Sequence, residues 1–496
     1  MIKFSALLPL VFMLSTIAQG QTASGSASPA RAACNCLSNF EWVRKTFEEN
    51  DAGFQYVIDK KGRSAYDAYN KQFLEKIRAV QDPGKCLPLL YEWMTFFRSG
   101  HIAIRPLNNQ SGNNGAVSTA AVQQFPGWET LSVDLPAFEK YLQGKKDPDY
   151  EGVWESPPYK IGIKKDSGVY KGFIIESGTP AWTKGQVKLR ITPVPGGVKS
   201  VFYMRDHSPQ ESGIVEFIGK NHLQVGNFSL QRVAPVYEDE PTVAEFLKAA
   251  AAQKPFVDVL NKTTLLLRIP SFSPGAKQDI DSVLAANRDR ILATENLIID
   301  ISNGTGGSDE SYEKIIPFLY TNPIRVVGVE YLSTPLNNQR MLDFINKPSY
   351  GFNEEQKKWA KNSYDKLSRQ VGQFVNLDSG TVSIDRMDTV YPYPKNVGII
   401  INEGNGSTDE QFLLAAKQSR KVKLFGATTM GALDISNMYF IPSPCGEFEL
   451  GYCLSRSMRI PGMTIDGKGI QPDYYLDRSI PRHQWLSFVS DVLNGK

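Results

Sequence analysis

Val397-Gly-Ile-Ile-Ile401 runs into Asn402-Glu-Gly-Asn-Gly-Ser407-Thr-Asp-Glu410 and then into Phe412-Leu-Leu-Ala-Ala416. The first five residues are almost entirely apolar, as in a strand buried on both faces. Glycines and short polar residues close it. Helical spacing follows at about 408–419, and a second apolar strand at 421–425. Strand, helix and strand in so short a span make a βαβ-like unit, the repeating element of a parallel α/β core. The pattern extends upstream. Thr263–Ile269 reads as a strand, Ile280–Leu292 has helical spacing, Leu297–Asp300 is a short apolar strand, and Glu310–Leu319 is a helix candidate. The expected core therefore covers about 255–480, with 481–496 as a C-terminal tail.

The segments in front of it read differently. Over 150–240 the pattern is two-residue alternation, as in Tyr159, Ile161, Ile163 and in Val187, Leu189, Ile191, punctuated by Gly and Pro, which predicts an all-β module. Residues 37–105 carry helical periodicity (Phe40, Val43, Phe47; Leu87 to Phe97) up to a stop at Ser99-Gly100. A linker is expected over 106–149. Phe4 to Ala18 is an apolar run behind Lys3, too short for a spanning helix, which needs about 20 residues. With Ala18-Gln19-Gly20 after it, residues 1–20 read as a signal peptide cut near Gly20, followed by a flexible lead over 21–36. The expected location is therefore outside the cytoplasm, periplasmic or extracellular.

With 55 basic and 52 acidic residues the 496-residue chain has a formal charge of +3, which points to neither a nucleic-acid nor a membrane-surface partner. No stable membrane insertion is expected. Hydrophobic residues at 41 % and charged residues at 22 % fit a globular protein with a sizeable core. There are four histidines (His101, His207, His222, His483) and five cysteines, none in a metal-ligand spacing, so no metal or cofactor is expected. In an oxidising compartment Cys445 and Cys453, flanking a short hairpin-like stretch, are expected to pair, and Cys36 or Cys34 to pair with Cys86.

Two glycine-rich stretches could carry chemistry. Asp300-Ile-Ser-Asn-Gly-Thr-Gly-Gly-Ser308 follows a buried strand and lacks the Lys-Ser/Thr of a phosphate loop, so an oxyanion-stabilising turn fits better than a nucleotide site. Ser407 stands at a strand-to-helix elbow. One reading makes it an exposed nucleophile beside the free N–H groups of a helix N-terminus. The other makes it an N-cap, with Glu410 completing a capping box.

Together these stretches resemble the tail-specific, or C-terminal-processing, serine peptidases. Leu297-Ile-Ile-Asp-Ile-Ser-Asn-Gly-Thr-Gly-Gly-Ser308 is similar to that family's LIIDLRNNGGGS segment, and Ser407-Thr-Asp-Glu410 to its Ser-Ala-Ser-Glu nucleophile motif. Leu424-Phe-Gly-Ala-Thr-Thr-Met-Gly431 and Asp466-Gly-Lys-Gly-Ile-Gln-Pro-Asp473 resemble two further segments in the family's order. The resemblance implies a ClpP/crotonase-like α/β core, preceded by a helical segment and an inserted all-β module. It also implies a serine endopeptidase acting on peptides or unfolded protein, with Ser407 as nucleophile. Where many members carry a general-base lysine this chain has Ala432. The tricorn-like branch instead uses a histidine from far upstream, and Phe97-Arg-Ser-Gly-His-Ile-Ala-Ile104 resembles its motif. That likeness implies His101 as base, Ser99 assisting it, Asp466 as triad acid with Asp434 and Glu410 as competitors, and oxyanion donors among Gly306, Gly307 and Thr408. No peptide-carboxylate loop of the PDZ type stands between 105 and 255. The alternative on the same core is a non-catalytic binder of apolar ligands or peptides.

Overall fold

The computed structural model describes residues 35–107, 127–378 and 380–496. The expected signal peptide, and most of the flexible lead, lie outside them. Six strands form the core sheet, in the order Phe256–Asn261, Thr264–Arg268, Asn296–Asp300, Asn396–Ile401, Val422–Gly426 and Tyr474–Tyr475. The first pair is antiparallel and every later pair parallel. Side chains alternate across these strands, which sorts the apolar runs into two cores. Leu297, Ile299, Ile399 and Ile401 face helices Lys277–Ile291 and Thr408–Ala416. Leu266, Ile298, Ile400 and Phe425 face the other way, onto Trp485, Leu486 and Val489. The segment expected to be a tail is thus helix Trp485–Leu493, and it seals one face of the core sheet. Its apolar residues at helical spacing carried that information.

Residues 152–234 form a nine-stranded sheet in which every paired neighbour is antiparallel, around Trp154, Ile161, Leu189 and Leu230. The stretch read as a linker over 106–149 contains helix Leu135–Gln143, whose Phe138 and Leu142 bury against Val153 and Phe173. Asp134 caps it and Pro136 sits in its first turn. The polar residues 108–126, read as a long loop, lie outside the described residues.

Four helices between Cys36 and Met94 pack an aromatic core (Phe40, Phe47, Tyr66, Phe73, Trp93, Phe97) against hairpin strands Ile435–Pro442 and Phe448–Ser457, through Tyr439, Phe448, Leu450 and Tyr452. The chain then adds strand Ala103–Pro106 antiparallel to Phe448–Ser457, with Ala103 opposite Gly451. This pairing carries the N-terminal region onto the α/β core. The disulfide Cys36–Cys86 ties the start of the first helix to the start of the fourth.

The expected Cys445–Cys453 bridge is corrected. Cys453 is a free, fully buried thiol opposite Met438, whereas Cys445 lies in the turn before strand Phe448–Ser457 and is itself disulfide-bonded. A strand advances about 3.3 Å per residue, so Cys453, well inside the strand, is beyond the 4.4–6.8 Å Cα span of a disulfide from the hairpin tip. The remaining cysteine, Cys34, lies outside the described residues. Among the described residues no helix is long and apolar enough to cross a membrane, and no group of His, Cys, Asp and Glu could hold a metal ion.

Candidate active site

Strand Asn396–Ile401 delivers the chain to the loop 402–407, and Ser407 precedes helix Thr408–Ala416. Its backbone has φ 59° and ψ −123°, and its hydroxyl makes no cap hydrogen bond. The capping reading is therefore set aside. A β-carbon at positive φ costs on the order of 1–3 kcal/mol, and such strain persists only where surrounding bonds enforce it. They do so here. Ser407 N–H donates to Ala432 O at 2.9 Å. Asn405 donates from its amide to Ile301 O (2.7 Å) and to Asp409 (2.9 Å), and Asn402 bonds both Asn303 and Gly404. The two glycine-rich loops are thereby cross-linked. Gly306, at φ 83°, lies against the serine so closely that a β-carbon there would stand 2.6 Å from Ser407 Cβ. Only glycine fits that approach.

His101 also stands at positive φ, 55°. Its carbonyl accepts from Arg98 Nη2 (3.0 Å) and from the Cys453 thiol (3.4 Å). Arg98 in turn makes a two-pronged, buried ion pair with Asp51 (2.8 and 2.5 Å), whose carboxylate also accepts the Cys453 N–H. The imidazole Nδ1 meets Ile435 O at 2.6 Å. Burial, aided by the nearby Arg98 charge, holds the half-buried His101 below its ordinary pKa, against the opposing pull of that carbonyl and of Asp466. The ring is accordingly neutral at pH 7. A carbonyl at Nδ1 requires the proton there and leaves the lone pair on Nε2.

Both residues thus lean on one loop, 429–435. Two carboxylates fix it. Glu410 accepts from Thr429 Oγ1 (2.5 Å), Gly431 N–H and Ala432 N–H (2.8 Å each). Asp466 accepts from the N–H groups of Leu433, Asp434 and Ile435 (2.6, 2.6 and 3.2 Å). Asp434 answers by accepting from the N–H groups of Ile465 and Asp466 while holding Arg459 at 2.9 Å. Burial raises the pKa of both Glu410 and Asp466, more than the N–H donors lower it. The group that touches the imidazole is the Ile435 carbonyl. Asp466, read from the sequence as the triad acid, stands one peptide behind it.

The other expected positions divide. Thr408 opens its helix, so its N–H has no intrahelical acceptor. Gly307 bridges Phe272, and Ser308 N–H donates to Phe272 O at 2.9 Å. Gly306 N–H is turned to Asp409, a carboxyl that burial pushes up to about 6. Ser99 is exposed and bonds nothing among the described residues. Arg98, Asp51, Asp409 and the two asparagines were not singled out from sequence. The only signal for Arg98 was its place three residues before the histidine.

Residues 263–476 match the family described as Peptidase family S41. That segment is an S41 peptidase domain. Over 155 residues the chain is 28 % identical to a probable CtpA-like serine protease of Staphylococcus epidermidis, an alignment covering 30 % of each protein. A probable CtpA-like serine protease of Staphylococcus aureus is 28 % identical over 160 residues, covering 32 % of this chain and 30 % of that one. The chain thus aligns with under a third of the length of these relatives. The solved structure of mature CPAF complexed with lactacystin superposes with a TM-score of 0.50 over 93 % of this chain and 99 % of that one. At 12 % identity that likeness is one of fold, and it takes in the regions in front of the S41 domain as well as the domain itself.

Proposed function

We propose that the protein is a serine endopeptidase cleaving peptides or unfolded protein, with Ser407 as nucleophile and His101 as general base. The observation that carries this reading is the shared loop: Ser407 N–H on Ala432 O and His101 Nδ1 on Ile435 O, both at strained backbone angles. In this mechanism Nε2 of the neutral imidazole takes the Ser407 proton as Oγ bonds to the scissile carbonyl carbon. The carbonyl oxygen gains the negative charge and is met by the N–H groups of Thr408 and of Gly307 or Gly306, the last of which faces Asp409. Such a donor is worth about 3–4 kcal/mol. The imidazolium returns its proton to the leaving amine as the C–N bond breaks. Water then attacks the acyl-serine with His101 again as base, releasing the acid and restoring the hydroxyl.

Asp466 and Glu410 act as positioning residues, holding the carbonyls that orient base and nucleophile. Ala432 explains the absence of a lysine base. A β-carbon on Gly100 would stand 2.6 Å from Ala432 Cβ, so the histidine segment occupies the space a lysine stem would need. An exported location is supported by the apolar leader and the Cys36–Cys86 disulfide.

The test is labelling with a fluorophosphonate probe together with hydrolysis of an unfolded protein substrate. The wild-type chain is expected to label and cleave, and Ser407→Ala and His101→Ala to do neither while keeping the wild-type melting temperature. Undiminished turnover in Ser407→Ala would overturn the assignment, and a folded wild-type chain that never labels would favour the non-catalytic binder.

A further inference from the structure

Far from Ser407 in the sequence, the nine-stranded sheet buries a lysine. Lys188 lies on strand Val187–Val194 and is fully buried. Its ammonium stands 3.9 Å from the ring centre of Tyr159, 4.0 Å from that of Trp182 and 5.1 Å from that of Phe202. One hydrogen bond, to Tyr203 O at 2.8 Å, is its only polar contact among the described residues. Residues 1–34, 108–126 and 379 include no Asp or Glu, so no carboxylate can reach it from there. A buried ammonium without a counter-ion costs several kcal/mol, which the cation–π contacts, at about 2 kcal/mol each, offset without supplying a counter-charge.

The lysine also borders a cavity of about 340 Å³, together with Tyr159, Phe202, Phe228, Met204 and Arg205. Phe202 and Phe228 stack at 4.0 Å and form an apolar wall, and Arg205 is exposed at the rim. Cavities of this size hold a small molecule or a single terminal side chain. Two cations, no anion and aromatic walls define one ligand chemistry. We propose that this cavity binds an organic carboxylate, its charge set between Lys188 and Arg205 and its apolar body against Tyr159, Phe202 and Phe228. The site is independent of the peptidase reading.

Burial alone lowers the Lys188 pKa to about 7, so an incoming anion recharges it and binding takes up a proton above neutrality. The other groups facing it do not reverse that sign. The rim guanidinium of Arg205 is a cation, and Tyr159 is raised by burial. His207, stacked on Trp182 at 3.8 Å, is lowered by burial and by Lys188 itself, with Asp206 beside it pulling the other way.

The test is calorimetric titration of the full chain with 3-phenylpropionate and with 3-phenylpropionamide. The acid is expected to saturate the protein at least tenfold more tightly than the amide, and more tightly at pH 6 than at pH 8.5. Lys188→Met and Arg205→Ala are each expected to weaken it at least tenfold. If Lys188→Met fails to fold, Arg205→Ala, at an exposed position, decides. A peptide ending in a free Phe carboxylate and its C-terminal amide, run in Ser407→Ala to prevent turnover, identify the source. Preference for the free peptide over its amide assigns the site to chain ends, and binding by 3-phenylpropionate alone assigns it to small free acids. No saturable heat with 3-phenylpropionate, equal affinity for acid and amide, or a folded variant binding like wild type would each overturn the proposal.

Discussion

The proposed base His101 is held by one neighbour close in sequence and two far off: Arg98, three residues before it, and Cys453 clasp its carbonyl, and Ile435 receives its ring proton. Because burial, with the Arg98 charge assisting, lowers its pKa, the base is unprotonated above a value under the ordinary 6.5. The acid limb of kcat/KM is therefore expected below pH 6.5, with a plateau from about pH 7. A limb centred above 7 in the pH–rate profile would contradict this. At Ala432, 5 % exposed against Gly100, a lysine has no room for its stem. Ala432→Lys is expected to lower stability by about 1–3 kcal/mol and to abolish cleavage rather than install a second base. Calorimetry and a peptide assay would measure both. Ser407 was legible as a proposed nucleophile through the resemblance of its motif to the serine peptidases; the glycines and strand before it left capping open. The acid was not, because the orienting group is a backbone carbonyl, and carbonyls have no sequence signature.

One scale up, the site is an arrangement of loops held by carboxylates that accept backbone N–H groups. Glu410 sits one turn into the helix after Ser407 and binds three donors of the 429–432 stretch. Glu410→Gln turns an amide N–H toward a backbone N–H. The expected cost is about 1–3 kcal/mol of stability, with kcat falling while KM stays near wild type. A change confined to KM in steady-state kinetics would argue instead for contact with substrate. The spacing Ser407 to Glu410 reads on paper as a capping box. It fails as one because the glutamate is used across the chain rather than within its own helix. The core strands were legible because they are short, apolar and buried on both faces. The helix Leu135–Gln143 was missed because its buried contacts, Val153 and Phe173, lie in the next module and are invisible to a local window.

For the whole molecule, the N-terminal helices hold the histidine strand on the hairpin, and on the proposed chemistry that is how they serve the site. Cys36–Cys86 closes a loop with a separation of 50 residues, worth up to about 4 kcal/mol to the folded state. Replacing both cysteines by serine is expected to lower the melting temperature and to reduce cleavage, with fluorophosphonate labelling falling in parallel as His101 leaves its carbonyl. A variant that melts lower yet labels fully at 25 °C would separate the helical region from the site. The α/β core and the β-rich module were readable from periodicity. Their joining through strand Ala103–Pro106 was not, since a four-residue edge strand of mixed burial carries almost no pattern.

The bond between His101 and Ile435 spans 334 residues. A ribosome making this chain releases the histidine early and the serine, its loop and the sealing helix Trp485–Leu493 last. On the proposed chemistry, no partial product of synthesis can cut its neighbours.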